Sequence, residues 1–181
     1  MTATPRLLTG RLVLDPLRVE DAEEMAVVLA DPALYTFIGG EPPSVERLRD
    51  RFGRMIAGPG PDDAGEVWHN WTVGLRAASG DEPDGGPAVG TVQATVTPAE
   101  ATSDVAWVVG TGHQGLGLAT EAAAAMAGWL LSTGIHRLVA HIHPEHAASE
   151  RVAQKIGLLA TGTFDDDGEQ LWALDGPDEE A

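Results

Sequence analysis

A chain of 181 residues with a net charge of −17 and no cysteine is long enough for one domain with a substantial core. It can form no disulfide, thiolate metal site or cysteine nucleophile, and its charge disfavours nucleic acid and anionic membranes as partners while drawing cationic ligands. No apolar run approaches the roughly 18 residues that span a bilayer, and the N-terminal residues lack the apolar centre of a signal peptide. The expectation is therefore a cytoplasmic protein that binds neither nucleic acid nor membrane. Much of the acid falls in stretches that read as loops or tail, such as "PDDAGE", "SGDEPDGG" and "DGPDEEA", which suits solubility more than a focused field.

"RLVLDPLR" (11–18) alternates like a strand. Over 19–30, Ala22, Met25, Ala26 and Leu29 share one helical face, and Asp31-Pro32 stops the helix. Ser44 is placed as an N-cap for a helix whose apolar stripe is Val45, Leu48, Phe52 and Met55, ending at "GPGP". Strands follow at 67–76 and 88–96, joined by "AASGDEPDGGP", which reads as a long mobile hairpin loop. "SDVAWVV" is a further strand, followed by a helix from about Gly115 to Thr133. The chain then gives a strand at 137–143, a helix at 144–156 and short strands near 159–164 and 170–174. This order implies one α/β domain over 1–174 with a mixed sheet, hairpins early and crossover helices late, and an acidic, disordered tail over 175–181.

Gly110, Gly112 and Gly115 spell G-x-G-x-x-G between a strand and a helix. A dinucleotide site would also need an acidic residue at the end of the next strand, about 20 residues on. "RLVAHIH" ends instead in histidine. The turn still offers close backbone approach and the unpaired N–H groups of a helix start, which is a seat for a diphosphate. It can also be no more than a glycine-rich turn that starts a helix.

Read one frame later, Gln114-Gly115-Leu116-Gly117-Leu118-Ala119 resembles the Q/R-x-x-G-x-G/A motif of the GNAT superfamily of acyl-CoA N-acyltransferases. "SDVAWVVGTGHQGLGLATEA" is similar to that family's strand, bulge, loop and helix, and "HPEHAASERVAQKIGL" to its second motif. "LLTGRLVLDPLRVEDAEEMAVVLADP" is similar to the N-terminus of the branch that acetylates ribosomal-protein N-termini. The resemblance implies a strongly bent mixed sheet of six or seven strands with about four helices, its fourth and fifth strands splayed around acetyl-CoA. Backbone groups near Val108 to Gly110 would bind the pantetheine arm, and a backbone N–H near Val108 or Val109 the acetyl carbonyl. Gln114, Gly115, Leu116, Gly117, Leu118, Ala119 and Thr120 would hold the pyrophosphate, with room left by the small residues and a further contact from the Thr120 hydroxyl. His146 stands where the family usually has Asn and would bond the pantetheine arm.

By the same resemblance Asp104 stands where the branch often has Glu and would take the ammonium proton directly or through water. Ser149 would protonate the departing thiolate, since Ala153 occupies the position of the family's usual Tyr. On the residues alone, Asp104 also reads as a solvated strand carboxylate and Ser149 as a helix-capping hydroxyl. His141-x-His143, with His146 beyond, puts imidazoles where zinc could bind, but no carboxylate spacing supports it, and no metal is expected. His69 reads as a packed strand residue or an alternative base. Arg47, Arg51 and Arg54 line one helical face and read as a solvated stripe or an acceptor-anion contact. The expected activity is transfer of acetyl from acetyl-CoA to a primary amine of a small molecule in a ternary complex. A protein N-terminus is the alternative acceptor, and a non-catalytic CoA sensor the alternative class. Either a monomer or a homodimer fits.

Overall fold

The computed structural model describes residues 3–61, 65–76 and 85–176. An eight-stranded sheet runs in the order β1-β2-β3-β4-β5-β6-β8-β7. Its strands are β1 (Leu7–Leu8), β2 (Leu12–Pro16), β3 (Val67–Leu75), β4 (Ala88–Thr97), β5 (Thr102–Val109), β6 (Arg137–Ile142), β7 (Leu159–Phe164) and β8 (Gln170–Asp175). The helices are α1 (Ala22–Val28), α2 (Tyr35–Ile38), α3 (Val45–Ala57), α4 (Leu118–Ser132) and α5 (Ala147–Lys155). All neighbouring strands are antiparallel except β5 and β6.

The expected strands and helices form, with boundaries moved by local chemistry. Eight strands replace six or seven because the two-residue β1 pairs with β2. The extra helix is α2, a single turn below the length at which apolar periodicity can be read. Ser44 caps α3 by accepting from the Arg47 N–H. The glycine-start helix begins later than expected, at Leu118, because Gly115 and Gly117 adopt φ of +75° and +77°, left-handed values that a right-handed helix cannot include. β8 runs on to Asp175, paired with Arg137 both in the ladder and by an ion pair. The expected mobile loop and disordered tail lie largely outside the described residues.

Two clusters bury the apolar positions. The larger places Leu14, Trp71, Val92, Val105, Leu138 and Trp172 of the sheet against Ala122, Met126 and Leu130 of α4. Ala122 of the alanine run thus packs on the strands, where its small side chain lets helix and sheet approach, while Ala124 is exposed. The smaller cluster joins Met25 and Leu29 around α1 to Leu48 and Phe52 of α3, with Val108 of β5 partly buried against it. His69 lies in the α4-facing layer, edge-on to Trp129 at 4.8 Å and in polar contact with the Thr4 hydroxyl. Burial holds its imidazole pKa below the usual value. It is the packed strand residue, on the side of the sheet opposite Asp104.

What positions the site is the seam between β5 and β6. Only Thr102, Ser103 and Asp104 pair with Arg137, Leu138 and Val139. Beyond Asp104 the two parallel strands part, while β5 stays in register with β4 as far as Val109. The expected bulge is therefore not a register shift in β5. Close approach takes its place: a Cβ at Gly90 of β4 would overlap the Val108 carbonyl, so only glycine lets β5 lie so near its neighbour.

Candidate active site

The gap between β5 and β6 opens into a cleft of about 450 Å³ bounded by β5, the 113–120 turn, α2 and α5. Its wall on β5 is Trp107, Val108 and Val109. Gly110 N–H donates to Val89 O on β4. Alternation along a strand then turns the backbone groups of Val108 toward β4 and those of Val109 and Trp107 into the gap. Val109 O accepts from the Gln114 side-chain amide at 3.1 Å, which leaves the Val109 N–H facing the cleft. Of the two valines expected to present backbone groups, Val109 has that orientation.

The turn beyond β5 meets the requirement for an anion seat. Among the described residues, the N–H groups from Gly115 to Thr120 donate to no protein acceptor. They lead into the first turn of a four-turn helix, whose positive end adds to them. A Cβ at Gly115 would meet nothing within 4 Å, so the space beside these amides is empty of protein. Gln114, Gly115, Gly117, Leu118, Ala119 and Thr120 line the cleft, whereas the Leu116 side chain is 58% exposed. The Leu116 carbonyl accepts from Arg11 Nη1 at 2.9 Å. Arg11 and Thr9 in turn bond the Glu121 carboxylate. Partial burial opposes ionisation of Glu121, but the bonds from Thr9 and Arg11 prevail and hold its pKa below the usual value. The β1–β2 turn thereby fixes the turn and the start of α4.

On α5, Ser149 lines the cleft and its Oγ accepts from Trp107 Nε1 at 3.2 Å. The indole is a donor only, so the serine proton is left free to be given elsewhere. Arg151 and Lys155, one helical turn apart, also line the cleft and bring cations to a chain poor in them. His146, the residue before α5, lines the cleft and stacks on Phe37 of α2 at 4.6 Å. Burial, helped by the neighbouring His143, lowers its pKa and favours the neutral ring, which can both donate and accept. Trp107, Arg151, Lys155 and α2 were not singled out in the sequence. The (i, i+4) spacing of Arg151 and Lys155 was an available signal, while nothing local marks Trp107 or α2 as cleft residues.

Asp104 lies at the base of the gap, where the strands begin to part, on the face of the sheet away from α4 and outside the cleft wall. His141 of β6 is beside it. Its Nε2 is 3.2 Å from Asp104 Oδ1, and its Nδ1 is 2.7 Å from Asp165 Oδ2 in the β7–β8 hairpin. The three histidines thus do not converge on one point: His143 packs against Phe37 at 5.3 Å and His146 faces the cleft. In the arginine stripe, Arg47 pairs with Glu41, and Arg51 is close enough to Tyr35 to oppose the upward pull of burial on its phenol pKa. The neighbouring Arg49 pairs with Glu23.

The site thus sets splayed parallel strands beside a helix N-terminus with unused amides. The family described as "Acetyltransferase (GNAT) domain" matches residues 11–159, and the chain belongs to it. No curated protein matches the sequence. Solved structures share the fold. A GNAT-family acetyltransferase from Bacillus anthracis superposes with a TM-score of 0.76 at 22% identity, covering 94% of this chain and 98% of that one. RimL, a ribosomal L7/L12 alpha-N-protein acetyltransferase solved with coenzyme A, gives 0.77 at 16% identity, covering 95% and 98%. The microcin C7 self-immunity acetyltransferase MccE, solved with acetyl-CoA and AMP, gives 0.69 at 13% identity, covering 92% and 93%.

Proposed function

We propose that this acetyltransferase uses acetyl-CoA to acetylate a primary amine of a small molecule, by direct transfer in a ternary complex. The observation that carries this reading is the run of unused amides from Gly115 to Thr120 at the mouth of a gap in the sheet. The coenzyme A and acetyl-CoA in the RimL and MccE structures support the choice of substrate. The amides, with Arg151 and Lys155 beside them, bind and orient the diphosphate. Trp107 and the Val109 N–H present β5 groups with no strand partner, along which the pantetheine arm lies as an added strand, with His146 as a further polar contact. The Val109 N–H is aimed where charge develops on the acetyl oxygen.

Two proton movements complete the chemistry. Asp104 draws a proton from the ammonium acceptor, directly or through water, and the free amine attacks the thioester carbon. As the C–N bond forms and the C–S bond breaks, Ser149 gives its hydroxyl proton to the leaving sulfur, and the second proton shed by the acylated nitrogen restores the hydroxyl. The Trp107 indole keeps Oγ oriented throughout. Ser149→Ala should therefore lower kcat by about 10²-fold, within the usual range for general acid catalysis, with little change in acetyl-CoA affinity. Steady-state kinetics beside calorimetric titration checks this; an unchanged kcat would reduce the serine to a packing role.

The acidic surface favours cationic acceptors of either size, and RimL, an alpha-N-protein acetyltransferase, supports a protein N-terminus as the second reading. The test is thiol release from acetyl-CoA across aminoglycosides, polyamines, amino acids and N-terminal peptides, with mass gain as the readout. A gain of one acetyl group on a small amine is the expected result. Tight CoA binding with no turnover on any amine would make the protein a sensor instead.

A further inference from the structure

The hydrogen-bonded row Asp104–His141–Asp165 crosses the base of the gap and joins three elements distant in sequence. Asp165 is itself fixed: its Oδ1 accepts from the N–H groups of Asp167 and Glu169 while Oδ2 faces His141. The hairpin turn thus prepositions a carboxylate against one imidazole nitrogen, and this contact, the shorter of the two at 2.7 Å against 3.2 Å, favours that nitrogen as the site of the proton in the neutral ring. The other nitrogen then presents a lone pair to Asp104. From these contacts we infer that His141 is the proton store behind Asp104, with Asp165 as the residue that sets its tautomer and proton affinity. This inference rests on the acetyltransferase reading.

Two protonation states follow from the geometry. With His141 protonated, both ring nitrogens donate, one to each carboxylate, and Asp104 already holds a hydrogen-bonded proton. With His141 neutral, Nε2 and Asp104 Oδ1 point lone pairs at each other across 3.2 Å. An ammonium proton arriving at Asp104 relieves that opposition. The balance is one proton: R–NH3⁺ becomes R–NH2, the pair becomes carboxylate and imidazolium, and the imidazolium returns the proton to solvent after transfer.

The groups facing His141 are Asp104 from β5 and Asp165 and Glu169 from the hairpin, while its own strand contributes Arg137, in an ion pair with Asp175, and the adjoining segment contributes His143. Partial burial alone would lower the imidazole pKa. The bonds and charges of Asp165 and Asp104 outweigh it, so the net direction is upward from 6.5. The sign of the effect is then fixed. A raised pKa keeps the imidazolium to higher pH, the accepting form exists only once that proton has left, and the rate falls as pH drops through the raised value.

The test is the pH dependence of kcat/KM for the best acceptor, in the full chain, for wild type, His141→Gln and Asp165→Asn. The wild type should show an acidic limb with an apparent pKa above 6.5. His141→Gln should remove that limb from the range of about pH 5–8 where imidazoles titrate and lower kcat/KM by about 10²-fold. Asp165→Asn, which retains an oxygen for the turn but loses the charge, should move the limb down by about one unit. The His141 ring signals in NMR titrations of wild type and Asp165→Asn should move by the same amount. An unaltered limb in His141→Gln, or a His141 titration indifferent to Asp165→Asn, overturns the inference while leaving acetyl transfer intact. Absence of turnover on every amine removes both.

Discussion

Asp104→Asn lowers kcat by about 10²–10³-fold, the span expected when a positioned general base is lost, and leaves the dissociation constant of acetyl-CoA unchanged. The substitution is nearly isosteric, and its amide can still bond His141 Nε2, its N–H donating to the neutral ring or its oxygen accepting from the imidazolium, so the seam between β5 and β6 is kept. What disappears is the capacity to take a proton. Asp104 pairs with Val139 in the ladder and stands outside the cleft wall, which separates the two readouts: binding reports the cleft, turnover reports the base of the gap. Steady-state kinetics at saturating acceptor, beside calorimetric titration with acetyl-CoA, measures both. A kcat within a factor of two or so of wild type would remove Asp104 from the chemistry.

Gly115→Asp weakens coenzyme A binding by about 10²-fold or more, whereas Gly115→Asn weakens it far less. Both substitutions face the same backbone demand, a φ of +75°, and Asn and Asp are the side chains that best tolerate left-handed backbone, at a cost of about 1 kcal/mol. Neither Cβ would meet protein atoms within 4 Å, so the fold has room for both. The difference between them is charge. A carboxylate beside amides proposed to seat a diphosphate repels it at short range, an effect worth about 1–4 kcal/mol per charge pair near an exposed turn. Calorimetry with coenzyme A on the two variants isolates the electrostatic part, and equal affinities would place the diphosphate elsewhere.

The sequence carried the architecture because the architecture is written in periodicity and punctuation. Alternation in "SDVAWVV", the Ser44 cap and the paired glycines at 115 and 117 each have a local physical cause and needed no tertiary information. The glycine turn was legible for the same reason, since a helix start with small residues offers its amides whatever surrounds it. The residues proposed to handle protons were only half legible. Asp104 and Ser149 stood out by position in a resembling motif, but His141 and Asp165 are 24 residues apart and meet through the β6–β8 pairing. Trp107 and Ser149 meet across 42 residues. Contacts of that kind arise from the register of whole strands, and no short window contains them. Gly90 lies between: a lone glycine inside "AVGTV" signals close backbone approach, yet only the fold shows that the partner is the Val108 carbonyl.

The three-residue seam between β5 and β6 has a consequence for how the molecule completes itself. The sheet is two panels, β1–β5 and β6–β8, stitched by pairs at Thr102, Ser103 and Asp104 and backed by α4. A pantetheine chain lying along the open margin of β5 would act as a missing rung, adding main-chain bonds that neither panel can supply to the other. The reactant would then be a structural member while it stays, and departure of the spent thiol would return the two panels to their looser stitching.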